Sequence, residues 1–238
     1  MSDAAEPRTP NRRVLVIGAS RGLGEAIVEE YALRGARVVA TVRSDAPSPL
    51  RAFAATTDAV EIERVDVAVP DSIAALRRRL DGRVFDLLFV VAGISLAPQD
   101  QAGADIGTRD FERMMNTNVL GVMRAVESLQ YLVAPDGTIA VMSSGQGSVS
   151  GNTRGGFEVY RATKSALNQM FRSYAARHAA DRRALLLMAP GWVRTGLGGP
   201  GAMLEIGESI PPLIDTVDAQ YGTPGLQYLD RHGAPVPW

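Results

Sequence analysis

The chain reads as a doubly wound α/β domain, a parallel sheet of about seven strands flanked by helices. Two observations predict it. Short runs of β-branched and aliphatic residues recur along the whole sequence, and stretches with helical spacing of apolar residues lie between them. The runs are almost wholly apolar rather than alternating, which marks strands covered on both faces by crossover helices.

In chain order, a first strand falls at 14–17, and a helix at 22–33 returns the chain to a second strand at 37–42. A third strand at 60–65 precedes a helix at 71–80, and a fourth at 85–91 precedes a long helix at 110–133. Strand five at 138–142 leads into a helix at 160–180 and strand six at 184–188. A last helix begins around Ser209, where Pro211 and Pro212 fit a first turn, and a short seventh strand follows near 226–229. Right-handed crossovers assemble these units into one sandwich. No linker or repeat divides residues 12–238, so one domain is expected there; residues 1–11, polar and carrying Pro7 and Pro10, are expected to form a disordered tail.

The helix at 110–133 spreads Met114, Met115, Val119, Val122, Met123, Val126, Leu129 and Leu132 over more than one stripe, too broad for one sheet-facing side. A second surface must cover it. Self-association as a homodimer and an unusually broad core contact both answer to that.

Composition narrows the function classes. A formal net charge of −1 gives no basic excess for nucleic acid or an anionic membrane. The absence of cysteine excludes disulfides, thiol catalysis and cysteine-ligated zinc, and two histidines in unrelated contexts, His178 and His232, make no metal site. The longest apolar stretch, 85–97, is broken by Gly93 and Ser95 and falls short of the roughly 20 residues of a membrane span, so a soluble, cytoplasmic protein is expected. Among 25 basic side chains there is one lysine, Lys164. An ammonium is a compact, titratable point charge that a planar guanidinium cannot imitate, which singles this residue out.

Gly18-Ala19-Ser20-Arg21-Gly22-Leu23-Gly24 follows the first strand and opens the first helix. Glycines there allow a tight turn and let backbone amides approach a pyrophosphate at a helix N-terminus. Where a site for NAD offers a carboxylate to the ribose hydroxyls, the second strand ends in Val42 and Arg43. Arg21 and Arg43 can grip a 2′-phosphate instead, which points to NADP(H). The same segment matches G-x-S-x-G, so a serine hydrolase using Ser20 is a second reading, but only one strand precedes that serine and no Asp-then-His pair follows in good order.

Tyr160 and Lys164 stand at i, i+4 on one helix face. A phenol is a poor acid or base at neutral pH, and an adjacent ammonium is expected to bring its pKa down toward the working range. Ser143 and Ser144 end the fifth strand, where ligands of such sheets lie, and Asn118 is an awkward residue in the preceding helix with hydrogen bonds to direct elsewhere.

Together these residues resemble the short-chain dehydrogenase/reductase family over essentially the whole chain after the tail, and with it the Rossmann fold. Gly18, Gly22 and Gly24, with Ser20, Arg21 and Leu23 between them, match the family's cofactor loop. Asp66-Val67 matches its adenine-side acidic position, Ala92-Gly93 its fourth-strand motif and Asn118 its helix asparagine. Ser144, Tyr160 and Lys164 match its catalytic serine, tyrosine and lysine, and Pro190-Gly191-Trp192-Val193-Arg194-Thr195 its nicotinamide loop. The long interval from Ser144 to Tyr160 and the ending Pro235-Val236-Pro237-Trp238 resemble the C-factor and sniffer-like carbonyl reductases. That resemblance implies NADPH-dependent reduction of a ketone or aldehyde to an alcohol: Tyr160 donates the proton, Ser144 orients the carbonyl, Lys164 lowers the Tyr160 pKa and holds ribose hydroxyls, and Asn118 positions a water.

Two departures stand out. Val90-Val91 replaces the family's Asn-Asn before Ala92-Gly93, and Ile17 stands where a threonine commonly precedes the first glycine. The substrate pocket is expected from 94–108, 145–157 and the glycine-rich 196–201, with Phe157 and Trp192 pointing to an apolar or aromatic substrate. An NADP-binding sensor or signalling protein with little turnover is the reading from another class.

Overall fold

The computed structural model describes residues 11–238, so the expected tail, Asn11 apart, lies outside the described residues. Seven strands form one sheet in the order β3-β2-β1-β4-β5-β6-β7, and all six pairings are parallel. They are β1 (Arg13–Ile17), β2 (Arg37–Val42), β3 (Val60–Arg64), β4 (Phe85–Val90), β5 (Val133–Met142), β6 (Ala184–Ala189) and β7 (Gly225–Asp230). The strand order reverses between β1 and β4, where the carboxyl ends of the strands part and ligands of open α/β sheets bind.

Strand side chains alternate between two apolar layers. Leu15, Ile17, Leu88, Val90, Ile139 and Val141 face one layer, closed by α3 (Pro70–Arg79), α5 (Val122–Leu129) and α6 (Glu158–Arg177). Val14, Val16, Leu87, Phe89, Ala140 and Met142 face the other, closed by α1 (Leu23–Leu33), α2 (Pro49–Ala54) and α7 (Ile206–Ala219). Burial on both faces explains why the strand runs read as continuous rather than alternating.

The long helix expected at 110–133 is α4 (Thr108–Met115), a π-helical turn (Asn116–Gly121) and α5, after which Val133 already belongs to β5. Gly121 lets the turn press against its neighbour: a Cβ there would lie 2.7 Å from the Val67 carbonyl oxygen. The π-turn shifts the apolar stripe, so Met114, Val119, Val122, Met123, Val126 and Leu129 are all buried within the chain. Phe111 and Leu120 remain 40% and 39% exposed. Burying this helix therefore does not require a second subunit.

One local expectation is corrected, and one short helix had not been expected. Pro211 and Pro212 are not in a first turn, because α7 starts earlier, at Ile206, behind a capping box of Glu205 and Glu208. The helix α2 is too short to show a period in sequence, although Ser48 capping the Arg51 N–H and Pro49 in the first turn are its signal.

Candidate active site

A cleft of about 730 Å³ opens over the carboxyl ends of β1, β4, β5 and β6. At one end the turn from β1 into α1 is built on glycine: Gly18 has φ +96°, and a Cβ on Gly24 would sit 2.1 Å from the Gly18 carbonyl oxygen. The N-cap of α1 is Gly22, which has no side chain to cover the helix start, and Gly22, Leu23 and Gly24 line the cleft. The threonine hydroxyl that Ile17 lacks is supplied by β2, where Thr41 Oγ1 accepts a hydrogen bond from the Gly18 N–H at 3.0 Å. The Val90-Val91 departure is met in the backbone, since the Val91 and Ala92 N–H groups donate to the Ile17 carbonyl at 2.8 and 3.0 Å.

Ser20, Arg21, Gly22, Leu23, Arg43, Asp66, Val67, Ala92, Gly93, Pro190, Gly191, Val193 and Thr195 all line the cleft; a Cβ on Gly22 would lie 3.6 Å from Thr195, and one on Gly93 3.6 Å from Lys164 Nζ. Asp66 is held by its own turn, its Oδ1 accepting from the Ala68 N–H at 2.9 Å.

Ser144, Tyr160 and Lys164 meet at the opposite end. Ser143 is not the exposed serine of the pair, because it is buried with its hydroxyl donating to Asn168 Oδ1 at 2.5 Å. Ser144 Oγ accepts from the Gln146 N–H at 3.1 Å and is hydrogen-bonded to the Tyr160 phenol. Lys164 is 2% exposed; its Nζ donates to the Met142 carbonyl at 2.9 Å and lies 5.7 Å from the Tyr160 ring centroid.

The expected lowering of the Tyr160 pKa is not what this arrangement gives. The phenol is pushed up to about 12, chiefly by burial; the hydrogen bond with Ser144 opposes the shift and the neighbouring Tyr228 adds to it. Burial likewise lowers Lys164 to about 8. Desolvation penalises the charged form of each group, and the ammonium is turned toward Met142 rather than the phenol oxygen.

Asn118 is the one expected site residue outside the cleft wall. Fully buried in the π-turn, it ties the strand-end loop down: Oδ1 accepts from the Ile94 N–H at 2.8 Å, and Nδ2 donates to the Ile94 carbonyl at 2.8 Å and to Thr163 Oγ1 at 3.1 Å. Phe157 and Trp192 form an edge-on aromatic pair at 6.2 Å, with Leu96 and Leu197 also lining this part of the cleft. Arg113 and Thr117 line it too and were not among the expected residues. Thr41 had a signal, a lone hydroxyl in the aliphatic run of β2.

The hydrolase reading fails on geometry. His178 caps the C-terminus of the 20-residue α6, about 30 Å from the end that carries Tyr160, and His232 follows β7, four strands and so about 19 Å across the sheet from the β1 end that carries Ser20. Neither can serve Ser20 as a base.

The family model for short chain dehydrogenase matches residues 12–201. The chain belongs to that family. Among its relatives, 1-hydroxy-2-glutathionyl-2-methyl-3-butene dehydrogenase of Rhodococcus sp. strain AD45 is 31% identical over 189 residues, covering 77% of this chain and 79% of the relative. A Burkholderia multivorans structure described as a short-chain dehydrogenase/reductase with bound NADP superposes with a TM-score of 0.94 at 50% identity, covering 96% of this chain and all of that one. A carbonyl reductase of Pseudomonas aeruginosa PAO1 in complex with NADP gives 0.88 at 33% identity, with 96% of this chain and 100% of that one covered. Among the described residues, no helix is long and apolar enough to cross a membrane.

Proposed function

We propose that this short-chain dehydrogenase is a cytoplasmic carbonyl reductase that uses NADP(H) on a small ketone or aldehyde. The observation that carries the reading is the convergence of Ser144, Tyr160 and Lys164 on the cleft whose other end is the glycine turn and Arg43.

The residues present fit a dinucleotide. The glycine turn packs too closely for a Cβ at Gly18 or Gly24 and so brings backbone rather than side chains to the cleft, the start of α1 suits a pyrophosphate, and Arg43 stands beside Val42 where a carboxylate would favour NAD. When bound, NADPH supplies a hydride for the carbonyl carbon. Tyr160, protonated throughout the neutral range, donates its proton to the carbonyl oxygen as negative charge develops there. Ser144 Oγ, already bonded to that phenol, orients the same oxygen. Lys164 brings a positive charge to the cleft wall beside Gly93 and would hold the ribose hydroxyls. Asn118 Oδ1 and Lys164 Nζ both border Gly93, each 3.6 Å from where a Cβ would be, and Asn118 has one acceptor left there to position a water for proton resupply. The intact set argues against a sensor without turnover. The direct test follows NADPH absorbance over a panel of ketones, aldehydes and quinones; no turnover with any of them overturns the reading.

Arg43→Ala is expected to weaken NADPH ten- to a hundredfold while leaving NADH nearly unchanged, because a charge-assisted contact to phosphate contributes about 1.5–3 kcal/mol. Titration of both cofactors decides it, and an unaltered preference refutes the assignment.

For the free enzyme, kcat/KM for reduction is expected to stay level up to about pH 8 and to fall above it. Lys164 is charged below its pKa of about 8 and loses that charge as pH rises, long before Tyr160 ionises at about 12. Lys164→Arg keeps its charge over the whole range but cannot reproduce the compact ammonium, so turnover drops and the fall moves up in pH. A profile identical to wild type in that variant contradicts the role given to the amine.

A further inference from the structure

Tyr228 lies outside the cleft wall, on the last strand of the sheet, and the mechanism above does not use it. Its position is nevertheless tied to the reacting groups. Tyr228 is paired with Leu187 in β6, which is paired with Val141 in β5, so the side chain reaches across the sheet toward the end of β5. There its hydroxyl donates to the carbonyl oxygen of Ser144.

We infer that Tyr228 is a positioning residue for Ser144, holding the serine's peptide group so that its hydroxyl faces Tyr160. The inference rests on the carbonyl-reductase reading of that site.

Ser144 opens a short turn whose two ends are held differently. At the far end, the Gly147 carbonyl accepts from Ser165 Oγ at 3.0 Å and Asn168 Nδ2 at 3.2 Å, both from α6. At the near end, the Ser144 carbonyl accepts from the Gly147 N–H inside the turn, at 2.8 Å, and from Tyr228 outside it. The Ser143 N–H ties the preceding residue to the Met188 carbonyl of β6 at 2.8 Å, and Tyr228 is the side chain that fixes the Ser144 carbonyl itself to the sheet. With the carbonyl direction set and Oγ accepting from the Gln146 N–H, Ser144 is left one orientation, the one that meets the phenol of Tyr160.

The anchor is itself rigid. Tyr228 is 4% exposed, its carbonyl accepts from the Val236 N–H at 2.8 Å, and its ring packs on Trp238 at 5.4 Å. Trp238 is clamped in turn, with the Arg172 guanidinium 4.6 Å over its ring and its carbonyl accepting from the Ser150 N–H at 3.0 Å and Oγ at 2.5 Å. Packing alone would be met by phenylalanine. The hydroxyl is what the site uses, and its surroundings agree: it is within hydrogen-bonding influence of Ser143 and Asn168 and close enough to affect the ionisation of Tyr160.

The test compares Tyr228→Phe, Ser144→Ala, the double variant and Tyr160→Phe in the full chain, on the carbonyl substrate that the wild type reduces fastest. Tyr228→Phe is expected to lower kcat about tenfold, the loss that goes with one neutral hydrogen bond, with KM for NADPH unchanged. Added to Ser144→Ala it is expected to cost less than about twofold, because the group it positions is already gone. Amide exchange of Gln146 and Gly147 in the cofactor-free protein is expected to accelerate. An additive tenfold loss in the double variant marks a general structural effect and overturns the inference, as does an unchanged kcat or unchanged exchange in the single variant. If Tyr160→Phe retains full turnover, the reading of the site fails instead, and amide exchange still decides whether Tyr228 holds the turn.

Discussion

Replacing Tyr160 with phenylalanine is expected to lower kcat for carbonyl reduction by about 10²–10⁴ while the protein stays folded. The ring is retained, and the hydroxyl's bonding partner in the site is Ser144, so little of the core depends on it. What disappears is the transferable proton. Because burial holds the phenol at about 12, wild-type Tyr160 is in its acid form at neutral pH and the variant has no group to take over its role. Ser144 remains to orient the oxygen, which accounts for a residual rate above the uncatalysed one. Steady-state kinetics with an established carbonyl substrate, read beside circular dichroism, measures both halves of the expectation. Wild-type turnover in the variant removes Tyr160 from the mechanism.

Gly24→Ala is expected to be nearly as damaging by a different route. The added Cβ would sit 2.1 Å from the Gly18 carbonyl oxygen and 3.1 Å from the Ala19 Cα. Both are backbone atoms of the turn from β1 into α1, so no rotamer change relieves the contact. Either α1 moves away or the Gly18–Ala19 peptide turns. A displaced turn loses its amide contacts to the pyrophosphate, each charge-assisted hydrogen bond contributing about 1.5–3 kcal/mol or roughly ten- to a hundredfold in affinity, and overpacking of this kind costs about 1–3 kcal/mol of stability. NADPH titration should show at least that loss in affinity, together with a lower Tm for the cofactor-free protein. Affinity within about threefold of wild type would mean that the turn is softer than its contacts indicate.

The strands were legible because each is buried on both faces, which writes a continuous apolar run into the sequence; their order in the sheet was not, because right-handed crossovers allow more than one order. Glycines, Ser144, Tyr160 and Lys164 were legible because each is tied to a fixed offset from a strand or helix end. What escaped is what depends on contacts distant in sequence. The π-turn at Asn116–Gly121 lies where Gly121 packs on the Val67 carbonyl, 54 positions earlier in the chain. The pairing of Thr41 with Gly18 and of Tyr228 with Ser144 requires knowing which strands are neighbours. The direction of the Tyr160 shift was misread from the i, i+4 spacing of Tyr160 and Lys164, since that spacing shows proximity and says nothing of the burial that dominates the shift. Pro211 and Pro212 were misplaced because the capping pair, Glu205 and Glu208, is an uncommon variant of the usual serine or threonine box.

The single lysine has a consequence for the chemistry of the whole molecule. Every other basic side chain is arginine, so the exterior presents guanidinium groups that acylating reagents leave untouched, and the chain's side-chain amine lies at the base of the cleft. At about pH 8 half of that amine is uncharged and nucleophilic, whereas an ordinary lysine remains almost wholly protonated. Apart from the α-amino group, an amine-directed acylating probe therefore has one address in this protein, and reaches it through the space that cofactor and substrate share. Labelling of Lys164 becomes a gauge of occupancy: what fills the cleft shields the amine, and what leaves it exposes the amine again.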